Sequence, residues 1–163
     1  MKKMMTFAIS FFVGLLIVSS SFAKTSTKTG ELNMTIDQNK QLILRLFGEV
    51  FNQQSLSVID ELYDPNVVDH SAFQDQAPGV EGIKSAIKGF FGIFGNLKIT
   101  VEDIIAEDDK VVTREVWRGT HKPSGKTAKG TVIHIFRIRE GKIADEWSRG
   151  WDWLETLQKP PRF

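Results

Sequence analysis

The chain has 163 residues, 21 Lys and Arg against 20 Asp and Glu, and no cysteine. That length is enough for one domain around a single core. A near-neutral balance without a basic stripe argues against nucleic acid as a partner, and the lack of cysteine excludes both a disulfide scaffold and a thiolate metal site.

In chain order, a leader comes first. Lys2 and Lys3 precede the apolar run TFAISFFVGLLIV, and small residues follow at Ser21 and Ala23. This is the three-part plan of a secretory signal peptide over residues 1–23, with cleavage expected after Ala23 and the protein expected in a periplasm or outside the cell. The run is short for a bilayer, which needs about 20 apolar residues. No membrane span is expected unless the leader is retained. Residues 24–35 are polar and aperiodic, and read as a flexible lead-in.

Thr35 and Gln38 then offer a capping box, and Ile43, Leu46, Phe47, Val50 and Phe51 recur at helical spacing, which predicts a helix over 36–52. A short helix is expected after Ser55 as cap, with Val58, Ile59, Leu62 and Tyr63 on one face and Asp64-Pro65 ending it. A short strand at 66–70 runs into a loop at 71–79. The clearest amphipathic helix follows, carrying Val80, Ile83, Ile87, Phe90, Phe91 and Phe94, with Gly95 and Asn96 as its stop.

From Leu97 the period falls from 3.6 to 2. Four strands are expected in hairpin succession: LKITV onward, VVTREVWRGT, GTVIHIFRIR and IADEWSRGWDWLETL, with turns at EDDK, HKPSGK and EGK. Helices gathered ahead of a run of strands imply an α+β domain over 36–158, its helices on one face of a curved antiparallel sheet.

One near-motif is dismissed. GTHKPSGKT has five residues between Gly119 and Gly125 where a P-loop has four, and it leads into a strand instead of opening a helix. The three histidines, His70, His121 and His134, are widely separated, with neither an i, i+4 pair nor a carboxylate pattern that would suggest zinc.

His134 shares a strand face with Val132, Phe136 and Ile138. An imidazole there needs a hydrogen-bond partner, and either a satisfied core histidine or a pocket histidine meets that need. Asp152 lies between Trp151 and Trp153. It reads either as a desolvated general base or as a charge at the rim of the chain end. Strict alternation sets it opposite Trp147, and a bulge at Gly150 would bring the two to one face. Trp117, Trp147, Trp151 and Trp153 all fall on the expected sheet, where they suit either an apolar pocket wall or the core.

Taken together, LRLFGEVFNQQSLSVIDELYDPNVVDHS at 44–71, PGVEGIK at 78–84, RGTH at 118–121 and HIFRIREGKIADEWSRGWD at 134–152 resemble the SnoaL-like polyketide cyclases, or ester cyclases, of the nuclear transport factor 2-like superfamily. The resemblance covers about Asn39 to Leu157. It implies a cone-shaped, cystatin-like α+β barrel whose bent sheet wraps the long helix around an open apolar cavity. It also implies a reaction without cofactor or metal, in which an aspartate takes a proton α to a carbonyl and the enolate closes a ring.

Carried over, the base falls on Asp152 and its partner on His134, with His70, Asn52 and Trp147 lining the cavity. Trp117 and His121 complete the candidate substrate-binding set. The expected ligand is a small apolar molecule, and a homodimer through the outer face of the sheet is expected. Two features depart from the family pattern: KPSGKTAKG is short after RGTH, and export sets the chain apart from cyclases that work beside cytoplasmic synthases. An exported cyclase, isomerase or hydrolase-like enzyme, a non-catalytic binding module and an interaction domain are the readings carried forward.

Overall fold

The computed structural model describes residues 34–151 and 153–158. The expected signal peptide, nearly all of the lead-in and Asp152 lie outside the described residues. Thr35 caps the first helix, α1 (Ile36–Arg45), in a full capping box: its side chain accepts from the Gln38 amide and the Gln38 side chain accepts from the Thr35 amide. The helix widens into a π-helical stretch over Leu46–Asn52. Wider turns keep Leu46, Phe47, Val50 and Phe51 buried and bring the Asn52 side-chain amide beside Ile99, where it accepts from the Ile99 amide and donates to the Ile99 carbonyl.

A single 3₁₀ turn (Leu56–Val58) and α2 (Ile59–Leu62) follow; Ser55 precedes them without a side-chain capping bond. Strand β1 (Tyr63–Asp69) leads through a loop to α3 (Gly79–Ile93), whose Ile83, Ile87 and Phe90 face the core. The remaining strands are β2 (Phe94–Glu107), β3 (Lys110–His121), β4 (Lys126–Arg139) and β5 (Lys142–Arg149).

They form one five-stranded sheet in the order β1-β5-β4-β3-β2, antiparallel except that β1 runs parallel to β5. Side chains alternate strictly along β3 and β4. Val111, Thr113, Glu115 and Trp117 on β3, with Val132, His134, Phe136 and Ile138 on β4, point at the helices; Ile133 and Ile135 point away and are exposed.

Strand β5 breaks this alternation once. Ile143 pairs with Ile138 but Asp145 pairs with Arg137, so Ala144 is an extra residue, a bulge. Beyond it the phase is inverted: Glu146 and Ser148 face the helices, while Asp145, Trp147 and Arg149 face outward. The bulge lies at Ala144 and not at Gly150, the position a glycine within the strand pattern offers. Gly150 instead ends the strand with a positive φ of 105°, and a Cβ there would sit 2.4 Å from the Thr131 carbonyl oxygen, closer than a side chain tolerates.

The last segment differs from expectation too. Trp151 lies beyond the strand, and Trp153 opens a short helix, α4 (Trp153–Gln158). Among the described residues no helix is long and apolar enough to cross a membrane.

Candidate functional site

Between the concave face of the sheet and the helices lies a cavity walled by aromatic rings: Phe47, Phe51, Phe90, Trp117, Phe136 and Trp151. Phe73, from the loop after β1, sits at its rim, 44% exposed and in ring contact with Phe90 and Trp151. The cavity expected from the resemblance is open; this one is nearly filled by these rings. Its free space is about 50 Å³, within a concavity of about 500 Å³ that includes the mouth. That is room for a water or two, since water occupies about 30 Å³.

Two polar pairs border this apolar space: His134, Tyr63 and Glu146 line it, and Glu115 lies behind His134. On β4, His134 is stacked on Phe136, with ring centroids 5.4 Å apart, and flanked by Phe47 and Trp151. Its Nδ1 is 3.0 Å from Glu115 Oε2, and Glu115 is fully buried. His134 Nε2 has no hydrogen-bond partner among the described residues.

The second pair joins neighbouring strands. Tyr63, buried at the start of β1, donates its hydroxyl to Glu146 Oε2 on β5 at 2.8 Å. Burial pushes the Glu146 carboxyl up to about 7; the charge of Asp69 adds to this, while His134 and the Tyr63 hydrogen bond oppose it. Tyr63 is itself pushed well above the ordinary phenol range by burial and by the Glu146 charge. A carboxyl that changes charge near neutrality, in an apolar pocket and within electrostatic reach of an imidazole, suits proton transfer to and from carbon or oxygen.

The polar end of the cavity is tied together by hydrogen bonds. Asp69 accepts from the Gln76 side chain and the Ser71 amide. Ser71 Oγ bridges to the backbone of Ser148, and Trp151 Nε1 donates to Ser148 Oγ. These bonds fix the loop after β1 and the chain after β5 against each other.

The residues singled out from sequence are dispersed. His134 and Trp117 line the cavity. His70 and Trp147 do not: they stack on each other on the outer side of the sheet, centroids 4.3 Å apart, because the Ala144 bulge turns Trp147 outward. His70 Nε2 lies 3.0 Å from Asp145 Oδ1 there. Asn52 is occupied in clamping Ile99. His121, at the β3–β4 turn, bonds Ser124 Oγ through Nδ1 at 2.7 Å and does not line the cavity. Asp152 lies outside the described residues. Among those described, no group of three or more His, Asp or Glu side chains is arranged to hold a metal ion.

The model of the SnoaL-like polyketide cyclase family matches residues 41–158, most of the chain. The chain belongs to that family. Among solved structures, wild-type IdmH of Streptomyces antibioticus, a candidate polyketide cyclase, is 29% identical with a TM-score of 0.66, over 75% of this chain and 99% of that one. A candidate polyketide cyclase of Bacillus cereus ATCC 10987 is 25% identical, TM-score 0.67, over 74% and 79% respectively. TsrD of Streptomyces laurentii, at 23% identity and TM-score 0.69 over 77% and 96%, shares the fold. No functionally curated protein matches by sequence. The nuclear transport factor 2-like α+β fold expected from the resemblance is the fold found, and family membership supports chemistry of the cyclase or isomerase type.

Two cavity residues, Tyr63 and Glu146, and the buried Glu115 behind His134 have no role in the sequence reading. Tyr63 falls on the apolar face of the short helix expected after Ser55. Glu146 escaped because alternation from Ile143 sends it outward, and only the bulge brings it in. Glu115 did carry a signal, since it shares the β3 face with Val111 and Trp117, where a carboxylate is out of place.

Proposed function

We propose that this chain is an exported, cofactor-independent enzyme of the cyclase or isomerase type. It moves a proton α to the carbonyl of a small apolar compound by acid–base catalysis. The observation that carries the reading is the Glu146 carboxyl, raised to about 7 in an aromatic cavity and faced by His134. In the proposed step the Glu146 carboxylate takes the α-proton. The C–H electron pair moves into the enolate, and ring closure or reprotonation follows. A base of this kind contributes about 10²–10⁴-fold when its proton affinity is matched to the working pH. The signal-peptide pattern of residues 1–23 supports export.

The free space of about 50 Å³ is too small for such a substrate, so entry requires a rim group to move. Phe73 is the natural one: it is the most exposed ring of the wall and belongs to a loop.

The test is substrate-blind. A panel of small enolisable ketones and esters is incubated with the protein in D₂O, and α-deuteration is followed by NMR. Wild type exchanges at least one member, and Glu146→Gln does not. Exchange that survives Glu146→Gln but is lost in Asp152→Asn moves the base to Asp152, where the resemblance puts it. No exchange by wild type over the whole panel counts against acid–base catalysis and favours a binding role.

A further inference from the structure

We infer that Glu115 is a positioning residue for His134: it holds the proton on Nδ1 and thereby makes Nε2 the atom that exchanges a proton inside the cavity. The Glu115 carboxylate is fully buried, and its only hydrogen-bond partner among the described residues is His134 Nδ1, at 3.0 Å. Its other oxygen, Oε1, is buried and unpartnered, as are Thr113 Oγ1 and Trp117 Nε1 on the same strand face.

Burying a carboxylate costs several kcal/mol even after relaxation, and an apolar residue of similar size there would often be neutral or stabilising. Val111 two turns of the pleat away shows what this face otherwise accepts. One hydrogen bond to a neighbouring strand is a poor structural return for that cost. What the bond does supply is direction. A carboxylate can only accept, so Nδ1 must donate, and the ring is left with Nε2 as its remaining proton site.

The surroundings fix the rest of the geometry. Stacking on Phe136 and edge contacts with Phe47 and Trp151 pack against the imidazole from several sides and favour this ring orientation. Nε2 is left facing the cavity that Glu146 also lines. Two proton sites on adjacent strands β4 and β5 thus border one space, and Glu115 sets the polarity of the first.

The kinetic consequence rests on the acid–base reading given above; the tautomer does not. The experiment is ¹⁵N-edited NMR of His134 in the intact folded protein, with Glu115→Leu and Glu115→Gln alongside wild type. Wild-type neutral His134 carries its proton on Nδ1. Glu115→Gln keeps an acceptor oxygen and retains that tautomer, whereas Glu115→Leu removes it and moves the proton to Nε2. α-Deuteration then falls by about 10² in Glu115→Leu with KM within a few-fold, a loss of the size seen when an orienting partner is removed.

A wild-type His134 protonated on Nε2, or a tautomer that ignores Glu115→Leu, overturns the inference, and the wild-type spectrum alone decides if that variant does not fold. Failure of the acid–base reading shows differently: wild type exchanges no substrate while His134 still carries the proton on Nδ1.

Discussion

Asp145 and Glu146 are neighbours in the chain and opposites in the fold. Asp145 points to the outer face. Burial works against its charge, but hydrogen bonds from His70 and Arg139 and the charges of Arg137 and Arg139 outweigh it, holding the carboxyl below the usual range. Glu146 points to the inner face, where among the described residues the only close donor is a phenol, and burial wins. One step along a strand separates a carboxylate committed to its charge from one balanced near neutrality. The face of the sheet, not the residue type, decides which can do chemistry.

The sharpest way to break that contrast is activity. Glu146→Gln lowers α-proton exchange by about 10²–10⁴ while substrate binding changes only a few-fold, and Asp145→Asn leaves the rate within a few-fold of wild type. Equal losses in both variants, measured by deuterium incorporation, erase the distinction between the faces.

Stability gives the next largest effects. Asp145→Ala strands His70 and two arginines, and urea unfolding at neutral pH shows a loss of about 2–3 kcal/mol. Because the folded carboxyl is lowered, this contribution is present above the usual aspartate range and disappears as pH falls through the folded value, so mutant and wild type converge in acid.

Glu146 runs the other way. Its folded carboxyl binds a proton more tightly than the unfolded one, so its contribution is fully present below the ordinary 4.5 and is lost as pH rises through about 7. Glu146→Gln, which mimics the protonated form, is therefore more stable than wild type by about 3 kcal/mol at alkaline pH and not below 4.5. Thermal melts across that window check it, and parallel curves for the two proteins refute it.

The smallest effect belongs to the outer stack. Trp147→Ala removes the partner of His70 and of the Arg137 guanidinium, which lies 5.4 Å from the ring. It costs about 1 kcal/mol in stability and leaves exchange kinetics within two-fold. A large drop in turnover would return Trp147 to the site.

Most of the fold was legible because each change of period is written in the apolar residues. Ile43, Leu46, Phe47, Val50 and Phe51 mark the first helix at 3.6, and Leu97 and Ile99 begin the alternation of the sheet; all seven are buried. His134 was legible for the same reason, as its strand keeps strict alternation. What failed was everything downstream of Ala144. A bulge with no glycine or proline to announce it reverses the phase, so simple alternation assigns Trp147 to the cavity and sends Glu146 outward. The widening of α1 into a π-helical stretch was equally silent, since Leu46–Asn52 carries an ordinary helical pattern. Ring contacts that narrow the cavity depend on how the loop bearing Phe73 folds back, and no spacing in the sequence encodes that.

The Ala144 bulge also defines how this protein can change. Deleting that one residue would turn every later side chain of β5 over, presenting Asp145 and Trp147 to the interior and sending Glu146 to solvent. A point substitution tunes one group, whereas a single-codon deletion here would exchange the whole chemical lining of the strand for its surface. The spare residue is a phase switch, and the identity of the reactive carboxyl depends on its setting.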